Sequence, residues 1–108
     1  MNLPHSRLTV EEFQRSARAD PAPPPACSPA LRALWHDLRG EWDRAHACAQ
    51  DDAGRDGAWV HASLHRKEGD LGNAGYWYAR ARRPLAEGEL DRERDAILAE
   101  LLAAGDRP

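Results

Sequence analysis

His61 and His65 stand four residues apart in the run AWVHASLHRKEG. On a helix that spacing puts both imidazoles on one face, with ring nitrogens able to converge on one ion or anion. His36 and His46 fall on the two preceding helical segments and could join them, since neighbouring helices pack roughly 8 to 10 Å apart. A zinc ion would want three or four such ligands, and Asp51, Glu68 or Asp70 could complete the set. The commoner role for histidines so placed is at the edge of a core, one face packed and one nitrogen bonded to a backbone carbonyl. That role is the expectation here, with His36, His46, His61 and His65 standing behind it as metal candidates. Hydrolysis is less favoured again, because Ala62 occupies the position where the H-E-x-x-H metalloprotease motif carries its glutamate.

Arg66, Lys67, Arg80, Arg82 and Arg83 make the following stretch locally basic, against Glu68 and Asp70, and Tyr76, Trp77 and Tyr78 lie among them. A guanidinium beside an aromatic face can clamp a phosphate or carboxylate while the ring stacks on a base or side chain. A solvated helix face with intrahelical ion pairs is the blander and commoner outcome, and basic residues near a helix end also complement its dipole. Of the four tryptophans, Trp35, Trp42 and Trp59 are expected in the core. Trp77 lies off the apolar stripe of its helix, which makes it an interface residue or a groove wall. Any ligand-binding or interaction surface is therefore expected to use His61, His65, Arg66, Tyr76, Trp77 and Arg80.

No glycine-rich phosphate loop, nucleophile elbow or CxxC pair occurs, and GRDG within the turn 51–57 lacks the Walker pattern, so no catalytic residue and no cofactor is assigned. Cys27 and Cys48 are too few for a disulfide scaffold and read as reduced thiols. A net charge of -3 lacks the electrostatic footprint of a general nucleic-acid binder. No stretch approaches the roughly 20 apolar residues that span a bilayer, and MNLPHSRLTVEEF lacks the apolar core of a secretory signal. The expectation is a cytoplasmic protein without membrane contact.

These side chains must be positioned by few elements, since 108 residues make one small domain. Thr9 with Glu12 three residues later has capping-box spacing and opens a helix within residues 1–19, edged by Leu8, Val10 and Phe13. Whether that helix docks is left open. DPAPPPACSP, residues 20–29, lacks the backbone donors of helix or central strand and reads as a stiff, extended linker; PAPPP could alternatively meet an aromatic groove elsewhere. The division expected is 1–28 for the helix and linker and 29–108 for the main body.

Ser28 capping and Pro29 in the first turn start a helix through Leu31, Leu34, Trp35 and Leu38 to Gly40. A second, 41–51, presents Trp42, Ala45 and Ala49, and the polar turn 51–57 follows. A third, 58–68, is stopped by Gly69. The fourth begins near Leu71, with Leu71, Ala74, Tyr78 and Ala81 on one face, and is ended by Pro84. Residues 90–104 form a last helix lined by Leu90, Arg94, Ile97, Leu98, Leu101 and Leu102, with Gly105 as its cap and a disordered tail 106–108.

An offset of 29 residues lays Gly40 on Gly69, Glu41 on Asp70, Leu31 on Val60, Ala33 on Ala62, Trp35 on Leu64, His36 on His65, Trp42 on Leu71, Ala45 on Ala74 and Ala49 on Tyr78. One unit is used twice. Residues 29–84 resemble the tetratricopeptide repeat and related helical hairpins: Gly69 and Asp70 sit at the turn, Ala74 and Tyr78 match the A-x3-F pair, Pro84 the closing proline, and Ala62 the small helix-contact position. His65 stands where the family has a tyrosine. The departures are Trp59, one residue out of register, His61 in place of a leucine, and a period about five residues short of 34. The same block is similar to small bacterial proteins of unassigned function.

The resemblance implies an all-α fold of two antiparallel hairpins, with the helix 90–104 covering one open end and the N-terminal helix or a second copy, as a homodimer, covering the other. It also implies a non-catalytic module that binds a protein or peptide partner. The competing reading is a small-molecule, anion or metal-binding protein, possibly an enzyme, built on the His, Arg and aromatic residues of the second hairpin.

Overall fold

A computed structural model describes residues 8–104, which form six α-helices and no strand. These are α1 (Val10–Ala19), α2 (Pro29–Leu38), α3 (Trp42–Gln50), α4 (Arg55–Lys67), α5 (Leu71–Ala81) and α6 (Leu90–Ala103). The expected Gly105 cap and the tail 106–108 lie outside the described residues.

The two turns that matter most to the site are built alike. Gly40 and Gly69 take positive φ, 78° and 88°, which a residue without Cβ adopts cheaply. At each, the glycine N–H reaches back to Asp37 or Arg66, and the next N–H reaches His36 or His65, at 2.9 to 3.0 Å. This paired bonding satisfies the last carbonyls of α2 and α4 and reverses the chain. Helix ends follow the same register, with Leu38 and Lys67 closing α2 and α4, and Trp42 and Leu71 opening α3 and α5, each pair 29 apart. Burial repeats too: Ala33 and Ala62, Trp35 and Leu64, Ala45 and Ala74, and Ala49 and Tyr78 are all buried. The pair that breaks the pattern is Trp42, half-buried, and Leu71, 68% exposed. Leu71 was expected on the buried stripe, but as the first residue of α5 it precedes the turn at which that helix meets α4.

Two boundaries also differ from expectation. Helix α4 begins at Arg55, three residues before Ala58, because Gly57 allows Asp52 to fold against the first turn: a Cβ at Gly57 would lie 2.4 Å from the Asp52 carbonyl oxygen. Helix α5 ends at Ala81 with Arg82 in the left-handed region (φ 59°), and the Arg83 N–H bonds to the Tyr78 carbonyl, so Pro84 follows the stop and does not cause it.

Helix α1 docks. Thr9 and Glu12 form the capping box, and Phe13, 0% exposed, joins Leu31, Leu34, Trp35, Val60, Leu64, Ile97 and Leu98 in one core. The Trp35 indole N–H donates to the Ser16 hydroxyl at 3.0 Å. Arg39 donates to the carbonyls of Ala17 and Asp20 (3.0 and 3.1 Å), fixing the end of α1 where the proline segment begins. That segment does not run straight. It bends, with Ala26 at φ 69°, and Pro24 and Pro25 border a hollow shared with Leu8 and Ser16 of the α1 region.

Helix α6 packs on α1, α2 and α4 through Ile97, Leu98, Leu101 and Leu102, leaving Leu90 39% exposed. It covers the α2 and α4 side, where α1 also lies. Full burial of one such aliphatic side chain contributes about 1.5 to 3 kcal/mol, so the deepest core sits here. Against this floor, α3 and α5 pack on α2 and α4. None of the described helices is long and apolar enough to cross a membrane.

Candidate functional site, a histidine cluster on α3 and α4

One helical turn separates His61 from His65, and their rings lie nearly parallel, 5.0 Å between centroids and 20° between planes. Across from them, α3 contributes His46, whose ring stands edge-on to both, at 4.5 Å from His61 and 5.2 Å from His65. The Nε2 atoms of His46 and His61 are 2.9 Å apart. Each of the three rings offers one nitrogen, and these nitrogens all lie within 4.8 Å of one another. His61 and His65 are 3% and 8% exposed, while His46 is half-buried and opens the cluster to solvent.

Aromatic walls hold the rings. Trp77 of α5 stacks on His61 at 3.9 Å and 10°, and Trp42 stacks on His46 at 4.8 Å and 12°. The Trp42 indole N–H donates to the Leu64 carbonyl at 2.9 Å, which fixes that wall to α4. His65 is oriented from outside the cluster, its Nδ1 lying 2.7 Å from a Glu68 carboxylate oxygen. A proton on Nδ1 donated to that carboxylate leaves the lone pair on Nε2. Metal-bound histidines are commonly oriented by such a carboxylate.

Burial drives the His61 imidazole down to about 4, with His46 and His65 adding to the effect. His46 is lowered mainly by burial, then by His65, with Glu68 and Asp43 opposing. Both rings are therefore neutral near pH 7, and one Nε2–H donates to the other ring's lone pair. Imidazoles with converging nitrogens suit zinc, copper or nickel, and three such ligands leave a fourth position for water or another ligand.

Of the other metal candidates, His36 is not in the cluster. Its Nδ1 pairs with Glu41 at 2.7 Å and its ring stands edge-on to Trp35, so the repeat places it in a similar turn without bringing it to the same site. Asp70 caps α5 by accepting from the Asn73 backbone and side-chain amides, yet with His65 and Glu68 it also forms a second group of close ligand atoms. Asp51 belongs to neither group. The hydrogen bonds described for the three clustered rings run to one another and to Glu68, not to backbone carbonyls as expected.

The basic and aromatic residues divide. Arg66 pairs with Glu93 at 3.0 Å and donates to the Gly88 carbonyl, while the Tyr78 hydroxyl donates to the same carboxylate. Burial, and then Glu93, push the Tyr78 hydroxyl well above its ordinary pKa, so it stays a donor. Arg66 thus joins α4 to α6 and is not free for a partner. Tyr76 is 55% exposed, and the exposed Arg80 lies over Tyr76 and Trp77, 5.7 and 5.3 Å from their centroids. Sequence reasoning gave Trp42 to the core and missed it as a wall of the cluster. The available signal was its position four residues before His46, on the same face of α3.

Compared with known protein families, with curated proteins and with solved structures, the chain has no match in any of the three.

Proposed function

We propose that this protein is a metal-binding helical-repeat protein, in which His46, His61 and His65 hold one divalent transition-metal ion. A single observation carries the reading: three ring nitrogens from two helices lie within 4.8 Å of one another behind aromatic walls. The ion would join α3, in the first helix pair, to α4, in the second. The matching turns and burial at a 29-residue offset support reading those pairs as tetratricopeptide-like hairpins. The two free cysteines are in keeping with the reducing cytoplasm to which we assign it.

The interaction-module reading is the less favoured: it needs Arg66, Trp77 and Arg80 exposed together, but Arg66 is held by Glu93 and Trp77 is stacked on His61, which leaves Arg80 exposed. Ala62 stands where the H-E-x-x-H motif carries its glutamate, and a binding role is preferred to hydrolysis.

Titration of chelator-treated protein with zinc by calorimetry tests the proposal. One ion per chain is expected, with loss of binding in His46→Gln and full retention in His36→Gln. Zinc at about a hundred times its Kd should stabilise the fold by about 2.7 kcal/mol through mass action. Absence of stoichiometric binding, or equal binding by His46→Gln, would refute it.

A further inference from the structure

A cavity of about 340 Å³ opens beside the histidine cluster, between the end of α3, the turn into α4, and α5. The stacked pair His61 and Trp77 lines it, together with Gln50, Asp52, Arg55 and Arg80. Its volume falls at the small end of the range for ligand sites, roughly 300 to 1,000 Å³. Arg55 is the first residue of α4 and Arg80 lies in the last turn of α5, so elements from both ends of the second helix pair bring a guanidinium to one hollow.

What distinguishes these two arginines is that they line one cavity and neither is held by a carboxylate. Arg39, Arg66, Arg83 and Arg94 each pair with a carboxylate. Arg55 and Arg80 have no carboxylate partner among the described residues. Arg80 is instead held over the Tyr76 and Trp77 rings and donates to the Tyr76 hydroxyl at 3.4 Å. A guanidinium already positioned by aromatic faces loses less freedom when it clamps a ligand. Asp52 opposes the positive charge, but its Oδ1 is engaged by the Gly54 N–H at 2.9 Å.

We infer that this cavity binds a small oxyanion, a carboxylate or phosphate group, between Arg55 and Arg80 beside the Trp77 ring. Two charge-assisted contacts supply the affinity, and the Gln50 amide offers a neutral donor. The start of α4, whose N-cap Gly54 provides no side-chain cap, adds a field of the same sign without being needed to define the site. The inference does not require the metal: His61 borders both sites, but neither arginine is among the proposed ligands.

The test uses chelator-treated full-length protein, followed by two-dimensional amide and indole NMR, titrated separately with inorganic phosphate, acetate and chloride at matched ionic strength. Saturable shifts confined to the 52–58 segment, the Trp77 indole and Arg80 are expected with phosphate or acetate and not with chloride. Saturation by phosphate alone assigns a phosphate ligand, and saturation by acetate alone assigns a carboxylate. Arg55→Gln and Arg80→Gln should each weaken binding about tenfold or more, as loss of a charged hydrogen bond requires. Asp52→Asn keeps the acceptor for Gly54 and removes the opposing charge, so it should tighten binding. His36→Gln, which lies outside both sites, should leave the oxyanion affinity unchanged. Shifts that fail to saturate, that chloride reproduces, or that survive in both arginine variants would overturn the inference.

Discussion

Burial of neutral imidazoles ties the cluster to pH. The ordinary pKa of His61 is 6.5 and the fold holds it near 4, with His46 lowered as well. Between those values the unfolded chain binds protons that the folded chain refuses, so stability rises with pH across that window. Metal-free protein should therefore be fully stable above about pH 6.5 and lose on the order of 2 to 3 kcal/mol as the pH falls towards 4. Urea midpoints in chelator check this, and His61→Phe should flatten the slope.

Glycine gives a second contrast at this scale. Gly57→Ala would bring a Cβ to 2.4 Å from Asp52 and should destabilise by about 1 to 3 kcal/mol, whereas Gly75→Ala meets Leu85 at an ordinary 3.9 Å and should stabilise by about 0.5 to 1 kcal/mol. Equal effects in thermal unfolding would contradict the packing of the turn into α4. The spacing of His61 and His65 made their shared face legible in the sequence. The place of His46 depended on how α3 packs against α4, and His36, on α2, pairs with Glu41 outside the cluster.

Among the elements, the turns were legible and the cross-links were not. Gly40, Gly69, Ser28 and the Thr9 and Glu12 pair announce helix ends through local chemistry, and the helices end or begin there. Arg66 reads as a free basic residue because its partner Glu93 is 27 positions away, on a helix whose docking site is set by the whole core. Side chains of that pair are 13% and 9% exposed, so removing Glu93 strands a nearly buried cation and leaves the Tyr78 hydroxyl without its acceptor. Glu93→Ala is expected to cost about 3 to 5 kcal/mol, and Arg66→Met with Glu93→Leu to recover most of that loss. A double-mutant cycle by chemical denaturation decides it, and additive losses would show the pair to be independent.

For the molecule as a whole, one core joins α1 to α2, α3, α4 and α6. Phe13→Ala should then cost about 3 to 5 kcal/mol in one cooperative transition. A loss below about 1 kcal/mol, or a separate early transition, would mean that α1 is merely tethered. The sequence left this open because Leu8, Val10 and Phe13 form an edge too small to reveal what it meets.

The proposed metal site draws on the same architecture, since His46 comes from one helix pair and His61 and His65 from the next. X-ray absorption at the zinc edge of stoichiometrically loaded protein tests that directly. The account predicts three imidazole nitrogens at about 2.0 to 2.1 Å with one further light ligand. Sulfur at about 2.3 Å, or fewer than three imidazoles, would contradict it.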